Sequence, residues 1–403
     1  MMTRISLPKW SFHNLEYVFL GLVFTIDFFI IKAPHIVVRA ILACLMIASL
    51  WIPYIRRFMV PALPIFAYLI TFYTCQFIST DYRPNHIFVN LLPTLERILY
   101  GANLSEIISK HTHPVLDIFA WLPYGIGHFS LPFIFAFFLF VLGPPGSVRI
   151  FGRAFGYMNL AGVLTQLFFP NASPWYELSY GSAPADYSIH GEPGGLSRID
   201  TILGLDLYGS TFGNSPLVFG AFPSLHSGCA TFEMLFLVYL CPKLKPLAIF
   251  YVLWMWFSTM YLTHHYMIDL VGGSIYAILT FVVAQKFLPQ VNPDARTRLD
   301  YLGISKLSFV NFFYSIESDA YDIRAQKMND EEALTKYTIP MSNRPEPLRL
   351  SALLIEKQHR DEECQSPALS TASASSSHYW SEPSSPITPH SPPVLNHFGN
   401  HKD

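Results

Sequence analysis

The chain has 403 residues, 51% of them hydrophobic, 16% aromatic and only 13% charged, against about 25% charged in an ordinary soluble domain. That balance excludes a soluble globular protein and describes a polytopic membrane protein. A net charge of −2 says nothing about nucleic acid, and no nucleic acid is expected as a partner. The five cysteines, Cys44, Cys75, Cys229, Cys241 and Cys364, show no CxxC or metal-ligand spacing, so neither a disulfide framework nor a zinc site is expected.

Residues 1–14 form a short polar lead carrying Arg4 and Lys9. It lacks a short apolar core with a small-residue cleavage site, so the first span is expected to serve as the targeting signal. Apolar segments follow at about 15–31, 36–54 and 58–78, each near the roughly 20 residues of a spanning helix. The wetter stretch 79–113, with Arg83-Pro84 and Leu92-Pro93-Thr94-Leu95-Glu96-Arg97, reads as interfacial helices rather than a span. Further spans are expected at about 118–143 and 151–170, followed by a polar loop over 171–215. The last spans fall at about 224–240, 246–263 and 267–288. The expected fold is all-α, with about eight transmembrane helices in a membrane domain at 15–288.

An even count puts both termini on one side. Arg4 and Lys9, Arg56 and Arg57, Arg149 and Arg153, and Lys243 and Lys245 share that face, which the positive-inside rule makes cytosolic. The 79–113 stretch, the 171–215 loop and the histidine stretches described below then face the lumen or the exterior. Lys32 and Arg39, in an opposite-side turn near Asp27, are expected to snorkel or to pair. From residue 289 onward, runs such as Asp330-Glu331-Glu332 and a Ser/Pro tract from Ser366 to Pro393 hold too little apolar content for a core. Residues 289–403 are expected to be a disordered cytosolic tail, with Ser366, Ser385, Thr388 and Ser391 before prolines as phosphorylation candidates. Two glycosylation sequons, at Asn103 and Asn171, are weak signals.

Two histidine stretches bracket the spans at about 224–240 and 246–263: Phe219-Gly220-Ala221-Phe222-Pro223-Ser224-Leu225-His226-Ser227-Gly228 and His264-His265-Tyr266-Met267-Ile268-Asp269-Leu270-Val271-Gly272-Gly273. If each span crosses once, His226 and His265 return to the same face. His265 and Asp269 are four apart, so on a helix they share a face and can hydrogen-bond. A carboxylate so placed fixes the tautomer of an attacking imidazole and stabilises its developing charge. His264, five residues from Asp269, falls off that face. Pro223 and Ser224 read as a helix start whose free N–H groups can hold phosphate oxygens.

Two histidines and one aspartate suit phosphoryl transfer with no metal and no cofactor. One imidazole attacks phosphorus; the other protonates the leaving oxygen and later deprotonates the acceptor. A lone histidine is more often a helix cap or a ligand of interfacial water, but two motifs and a carboxylate at one face favour chemistry. Glu233 lies seven residues past His226, about two turns deeper. A carboxylate in a span is costly, and it reads either as a partner for an acceptor's amide or hydroxyl or as a helix-packing group.

Pro223-Ser224-x-His226 and His265-x-x-x-Asp269 resemble the second and third signatures of the lipid phosphate phosphatase superfamily. Longer stretches are similar to the fungal inositol phosphorylceramide synthases, the family of aureobasidin A resistance: Leu92-Pro93-Thr94-Leu95-Glu96, Trp121-Leu122-Pro123-Tyr124-Gly125, Pro193-Gly194-Gly195-Leu196-Ser197-Arg198-Ile199-Asp200, the His226 stretch and Tyr261-Leu262-Thr263-His264-His265-Tyr266. The similarity covers about residues 80–290. It implies a six-helix lipid phosphate phosphatase-like core, and transfer of phosphoinositol from phosphatidylinositol to the ceramide 1-hydroxyl, releasing diacylglycerol, in the Golgi lumen. It implies a small regulatory membrane subunit as partner. It also implies His265 as nucleophile, Asp269 as its partner and His226 as acid and base.

The phosphatase superfamily's first signature would fall at Gln76 and Arg83-Pro84, without its lysine. The Ser-Arg pair before the third-motif histidine would be Ser258-Thr259, without its arginine. A phosphodiester carries one charge where a monoester carries nearly two, so the missing cations fit a diester donor. Arg83, Arg198, Ser227 and Glu233 are the candidate substrate-binding residues. The alternatives are a lipid phosphatase with water as acceptor, and a transporter or scaffold with relic motifs. A transporter calls for paired charges across the bilayer centre, where only Glu233 is found.

Overall fold

The structure, a computed structural model, describes residues 12–304 and residue 308. Arg4 and Lys9, the Asp330 run, Cys364 and the Ser-Pro sites lie outside the described residues. Each expected span falls on a helix. The first three are α1 (Phe12–Ile30), α2 (Ile36–Ser49) and α3 (Pro53–Thr74). Two short helices, α4 (Leu91–Tyr100) and α5 (Leu104–Ser109), occupy the stretch expected to be interfacial. Next, α6 (Pro114–Trp121) runs through a π-helical turn at Leu122–Gly127 into α7 (His128–Leu142), and α8 (Ser147–Phe168) follows. The segment 171–215, expected as a loop, instead contains α9 (Pro174–Tyr180), α10 (Ser197–Leu203) and α11 (Tyr208–Gly213). Then come α12 (Leu225–Leu240), α13 (Lys245–Tyr261), α14 (Met267–Ala284) and the short α15 (Arg298–Tyr301). Among the described residues there is no strand, only isolated bridges joining Phe88 to Asn171 and Asn171 to Gly220.

Among the described residues, three helical stretches are long and apolar enough to cross a membrane by length and composition: Pro53–Phe77, Pro114–Leu142 and Met267–Ala284. The apolar helices α2 and α12 are shorter. At 16 residues α12 rises only about 24 Å. Large apolar side chains face outward on the apolar helices and in the α2–α3 turn, including Phe29 of α1, Trp51 of the turn and Phe133 of α7 at 77%, 82% and 79% exposure. Such surface is favourable only against lipid, and the protein is a membrane protein.

Two glycines set the helix packing. At Gly156 of α8 the backbone of Pro64 and Ile65 in α3 lies where a Cβ would sit. At Gly273 of α14 the carbonyl of Ser224 does the same, drawing the start of α12 onto α14. Below this contact, Phe135, Phe151, Phe155, Phe232 and Phe236 form an aromatic core joining α7, α8 and α12. The π turn has a local cause. Pro123 has no N–H for the carbonyl of Phe119, and that carbonyl instead accepts from Trp254 Nε1 of α13 at 3.0 Å.

The pairing expected in the 32–39 turn takes another form. Asp27 Oδ2 accepts from Thr71 Oγ1 at 2.9 Å, tying α1 to α3. Arg39 donates to the carbonyls of Phe28 and Ile31, which the end of α1 leaves unsatisfied. Both sequon asparagines are buried. The described fold also passes residue 289, because Arg298 of α15 lies over the Phe140 ring, 4.5 Å from its centroid.

Candidate active site

Ser224 is the N-cap of α12, and its side chain accepts from the Ser227 N–H, so His226 sits in the first turn. Ser224 N donates to the Asp269 carbonyl at 3.0 Å. This bond and the Gly273 contact clasp the starts of α12 and α14. The two imidazoles meet there, with His265 Nε2 3.4 Å from His226 Nδ1.

His265 is not on a helix; it lies in the connector before α14. The shared helix face expected for His265 and Asp269 therefore does not form. Asp269 is the third residue of α14, and its Oδ2 accepts from the Tyr266 N–H at 2.9 Å in a capping box. Oδ2 stands 3.6 Å from His265 Nδ1, close enough for a charge but too long for a hydrogen bond. The orienting hydrogen bond comes from elsewhere. His265 Nδ1–H donates to the Ala221 carbonyl at 3.0 Å. Because a carbonyl can only accept, this fixes the proton on Nδ1 and leaves the Nε2 lone pair facing His226. Burial pushes the His265 imidazole down to about 4, so it is neutral at physiological pH.

Three residues outside the expected site complete the surroundings. The ring of Tyr124, from the π turn, stacks on His226 with centroids 4.2 Å apart and 16° between planes. His128, one turn on, packs against the same imidazole at 4.2 Å. His264, which the helical-face argument set aside, is buried between Tyr124 and Phe212. Its Nε2–H donates to the Pro193 carbonyl at 3.1 Å, and burial lowers it to about 3. The Tyr124 and His128 spacing could have been noticed, but nothing in the sequence opposes them to His226.

His226, His264 and His265 line one end of a cavity of about 970 Å³. Its walls are mostly apolar, from α3, α7 and α8. Arg149 and Gln166, near the two ends of α8, both line it, a rise of roughly 25 Å. That is close to the hydrocarbon thickness of a bilayer.

The expected substrate-binding residues are placed differently. Arg198 does not line this cavity: its Nε donates to Asp117 Oδ1 at 2.7 Å and its guanidinium lies over the Tyr261 ring. Ser227 Oγ is buried among Leu270 O, Ser274 Oγ and Trp256 Nε1, where it joins α12, α13 and α14. Glu233 is 1% exposed and sealed from the cavity, with its Oε1 lacking a hydrogen-bond partner. Arg83 donates to the Cys75 and Ile78 carbonyls. It lines, with Gln76, a separate pocket of about 210 Å³ that shares Ser215, Pro216 and Val218 with the main cavity.

A buried imidazole pair lines one end of a lipid-length cavity within a helical membrane domain, and residues 94–283 of that domain match the PAP2 superfamily. The inositol phosphorylceramide synthase catalytic subunit aur1 of Schizosaccharomyces pombe is 49% identical over 73% of this chain and 69% of its own. The corresponding subunit AUR1 of Saccharomyces cerevisiae is 43% identical over 84% of this chain and 80% of its own. A phosphoinositol dihydroceramide synthase of Bacteroides thetaiotaomicron is 29% identical over 62% of this chain and 83% of its own. The chain belongs to the inositol phosphorylceramide synthase family and is an enzyme of the transferase class. No solved structure matches it.

Proposed function

We propose that the protein transfers phosphoinositol from phosphatidylinositol to the 1-hydroxyl of a ceramide and releases diacylglycerol. The observation that carries this reading is the fixed tautomer of His265, whose Nε2 lone pair faces His226 across 3.4 Å. In the first step Nε2 attacks phosphorus and the bond from phosphorus to the diacylglycerol oxygen breaks. That oxygen takes a proton from His226, leaving phosphoinositol on Nε2. In the second step His226 takes the proton of the ceramide hydroxyl, whose oxygen attacks phosphorus and breaks the P–N bond. Asp269, 3.6 Å from Nδ1, stabilises the positive charge on the His265 ring while the P–N bond exists. The apolar cavity holds the lipid chains.

Arg83 remains a candidate for the donor headgroup through its adjoining pocket; for Arg198, Ser227 and Glu233 we assign supporting contacts rather than direct binding. We assign eight spans, supported by the eight helices that coincide with the eight apolar segments. Both termini are cytosolic and the histidines face the Golgi lumen, a reading supported by the basic turns at Arg56-Arg57, Arg149 and Lys243-Lys245. A small regulatory membrane subunit fits the words "catalytic subunit" in two relatives' names. The test is purified protein with labelled phosphatidylinositol, with and without ceramide. Labelled inositol phosphorylceramide forming only with ceramide supports the reading, and water-dependent release of inositol phosphate instead would refute it.

A further inference from the structure

The connector that carries His265 is anchored by carboxylates beyond the one the motif supplies. Asp269 Oδ2 accepts from the Tyr266 N–H at 2.9 Å. Glu177 Oε2 of α9 accepts from the Tyr266 hydroxyl at 3.1 Å, and the same side chain takes Arg97 and the Asn103 amide. Glu96 of α4 is fully buried. Its Oε2 accepts from the Met267 N–H at 2.9 Å, and its Oε1 accepts from the Leu104 N–H, the first residue of α5, at 2.8 Å. One carboxylate thus bridges the α4–α5 hairpin to the backbone two residues past His265.

We infer that Glu96 is a positioning residue for His265, holding the nucleophile's connector in place through its ionised carboxylate. The inference rests on the function proposed above. Its chemistry is that of a two-acceptor clamp. Both oxygens receive N–H donors, which only the carboxylate does without sacrificing one of them. A protonated or amidated Glu96 keeps one good acceptor and turns its other atom into a donor, opposed to a buried N–H. The groups facing Glu96 are Asp269 from α14, the Leu104 and Ser105 amides from α5, and the Met267 amide. Glu177 and its partners Arg97 and Tyr266 lie beyond them. Burial, helped by Asp269, pushes Glu96 up to about 6 against the pull of its N–H donors. The clamp is therefore intact above that pH and opens as pH falls through it.

The test compares the full-length protein with its Glu96→Gln variant, with Glu106→Gln on the neighbouring helix as control. Two readouts are followed between pH 4.5 and 7.5: the steady-state rate with phosphatidylinositol and ceramide, and the rate at which diethylpyrocarbonate modifies His265, measured by mass spectrometry of that peptide. The wild type is expected to lose kcat below pH about 6 at nearly constant KM, while His265 modification accelerates. An ordinary histidine would slow instead as it protonates. Glu96→Gln is expected to show kcat lowered by roughly 10²-fold at pH 7, as for a displaced catalytic group. It should also show fast His265 modification, and neither readout should break near 6. A Glu96→Gln enzyme that keeps wild-type kcat, or retains the break near 6, overturns the inference. Should the wild type transfer no phosphoinositol, the functional reading fails, and the modification rates alone still decide for or against the clamp.

Discussion

The imidazole of His226 lies flat against the phenol ring of Tyr124, centroids 4.2 Å apart, while its edge meets His265. In the proposed mechanism this is the ring that exchanges protons with substrate, and an aromatic face from a different helix holds it. Stacking of this kind is worth about 0.5–1.5 kcal/mol. Tyr124→Ala is expected to lower kcat about tenfold with little change in KM. Tyr124→Phe keeps the ring and should stay near wild type. Equal losses in both variants would point to the hydroxyl rather than the face.

The three residues of the histidine motifs should separate by role. His265→Ala is expected to abolish transfer and donor exchange alike, because no phosphoenzyme forms. His226→Ala should lose roughly 10²–10⁴-fold, and less with an activated aryl phosphodiester whose leaving group needs no proton. Asp269→Asn still caps Tyr266 and leaves the tautomer to Ala221, so it should fold normally and lose only the charge beside Nδ1. Two in-line displacements give retention at phosphorus, which a chiral phosphorothioate donor reports. Inversion together with an active His265→Ala would mean direct attack by the acceptor.

Acid should weaken the fold. His264 and His265 titrate at about 3 and about 4 in the folded protein, against about 6.5 when unfolded. The unfolded chain binds more protons between those values, so stability rises with pH up to about 6.5 and falls on acidification. Glu96, raised to about 6, has the opposite sign and offsets part of this slope. Thermal unfolding in detergent at pH 4.5, 5.5 and 6.5 should show a climbing Tm. A flat profile would contradict the buried neutral state of the pair.

The cavity predicts a contrast between two glycines of α8. Gly152 lines it, and a Cβ there meets only Ile65 and Pro61 at 3.7 and 3.8 Å. Gly152→Leu should fold, fill the slot and raise KM for the lipid substrates. Gly156→Leu would drive a side chain into the α3 backbone and should fail to give a stable protein. Unchanged lipid kinetics in a folded Gly152→Leu enzyme would remove the slot from the reaction.

Topology and boundary can be tested with the same protein. Single cysteines at Asn214 and Lys243 in a cysteine-free background should label from opposite sides of the membrane. Labelling of both from the cytosol would break the even span count. A chain ending at Ser308 should keep its activity. One ending at 290 loses the packing of Arg298 on Phe140 and should unfold at lower temperature.

The sequence alone determined the helices and the histidine pair. Long apolar runs have few outcomes in a bilayer, since unsatisfied backbone groups there force helices. Two apolar runs lie between His226 and His265, and as an out-and-back helix pair, α12 and α13, they bring the two histidines together. The Ser224 cap was legible because capping is local. Tertiary structure decided what each side chain touches. The i,i+4 spacing of His265 and Asp269 suggested a shared helix face, but α14 begins two residues after His265. Its orienting acceptor is the Ala221 carbonyl, 44 residues away, a backbone atom that no residue type announces. Ser227, Glu233 and Arg198 have the chemistry of ligands, yet packing turned them toward neighbouring helices or Asp117. Tyr124, His128 and Glu96 reached the site from elsewhere, because Pro123 forces a π turn and the α4–α5 hairpin folds under the start of α14. Contacts between distant segments depend on the final packing of whole helices, and spacing along the chain carries no record of them.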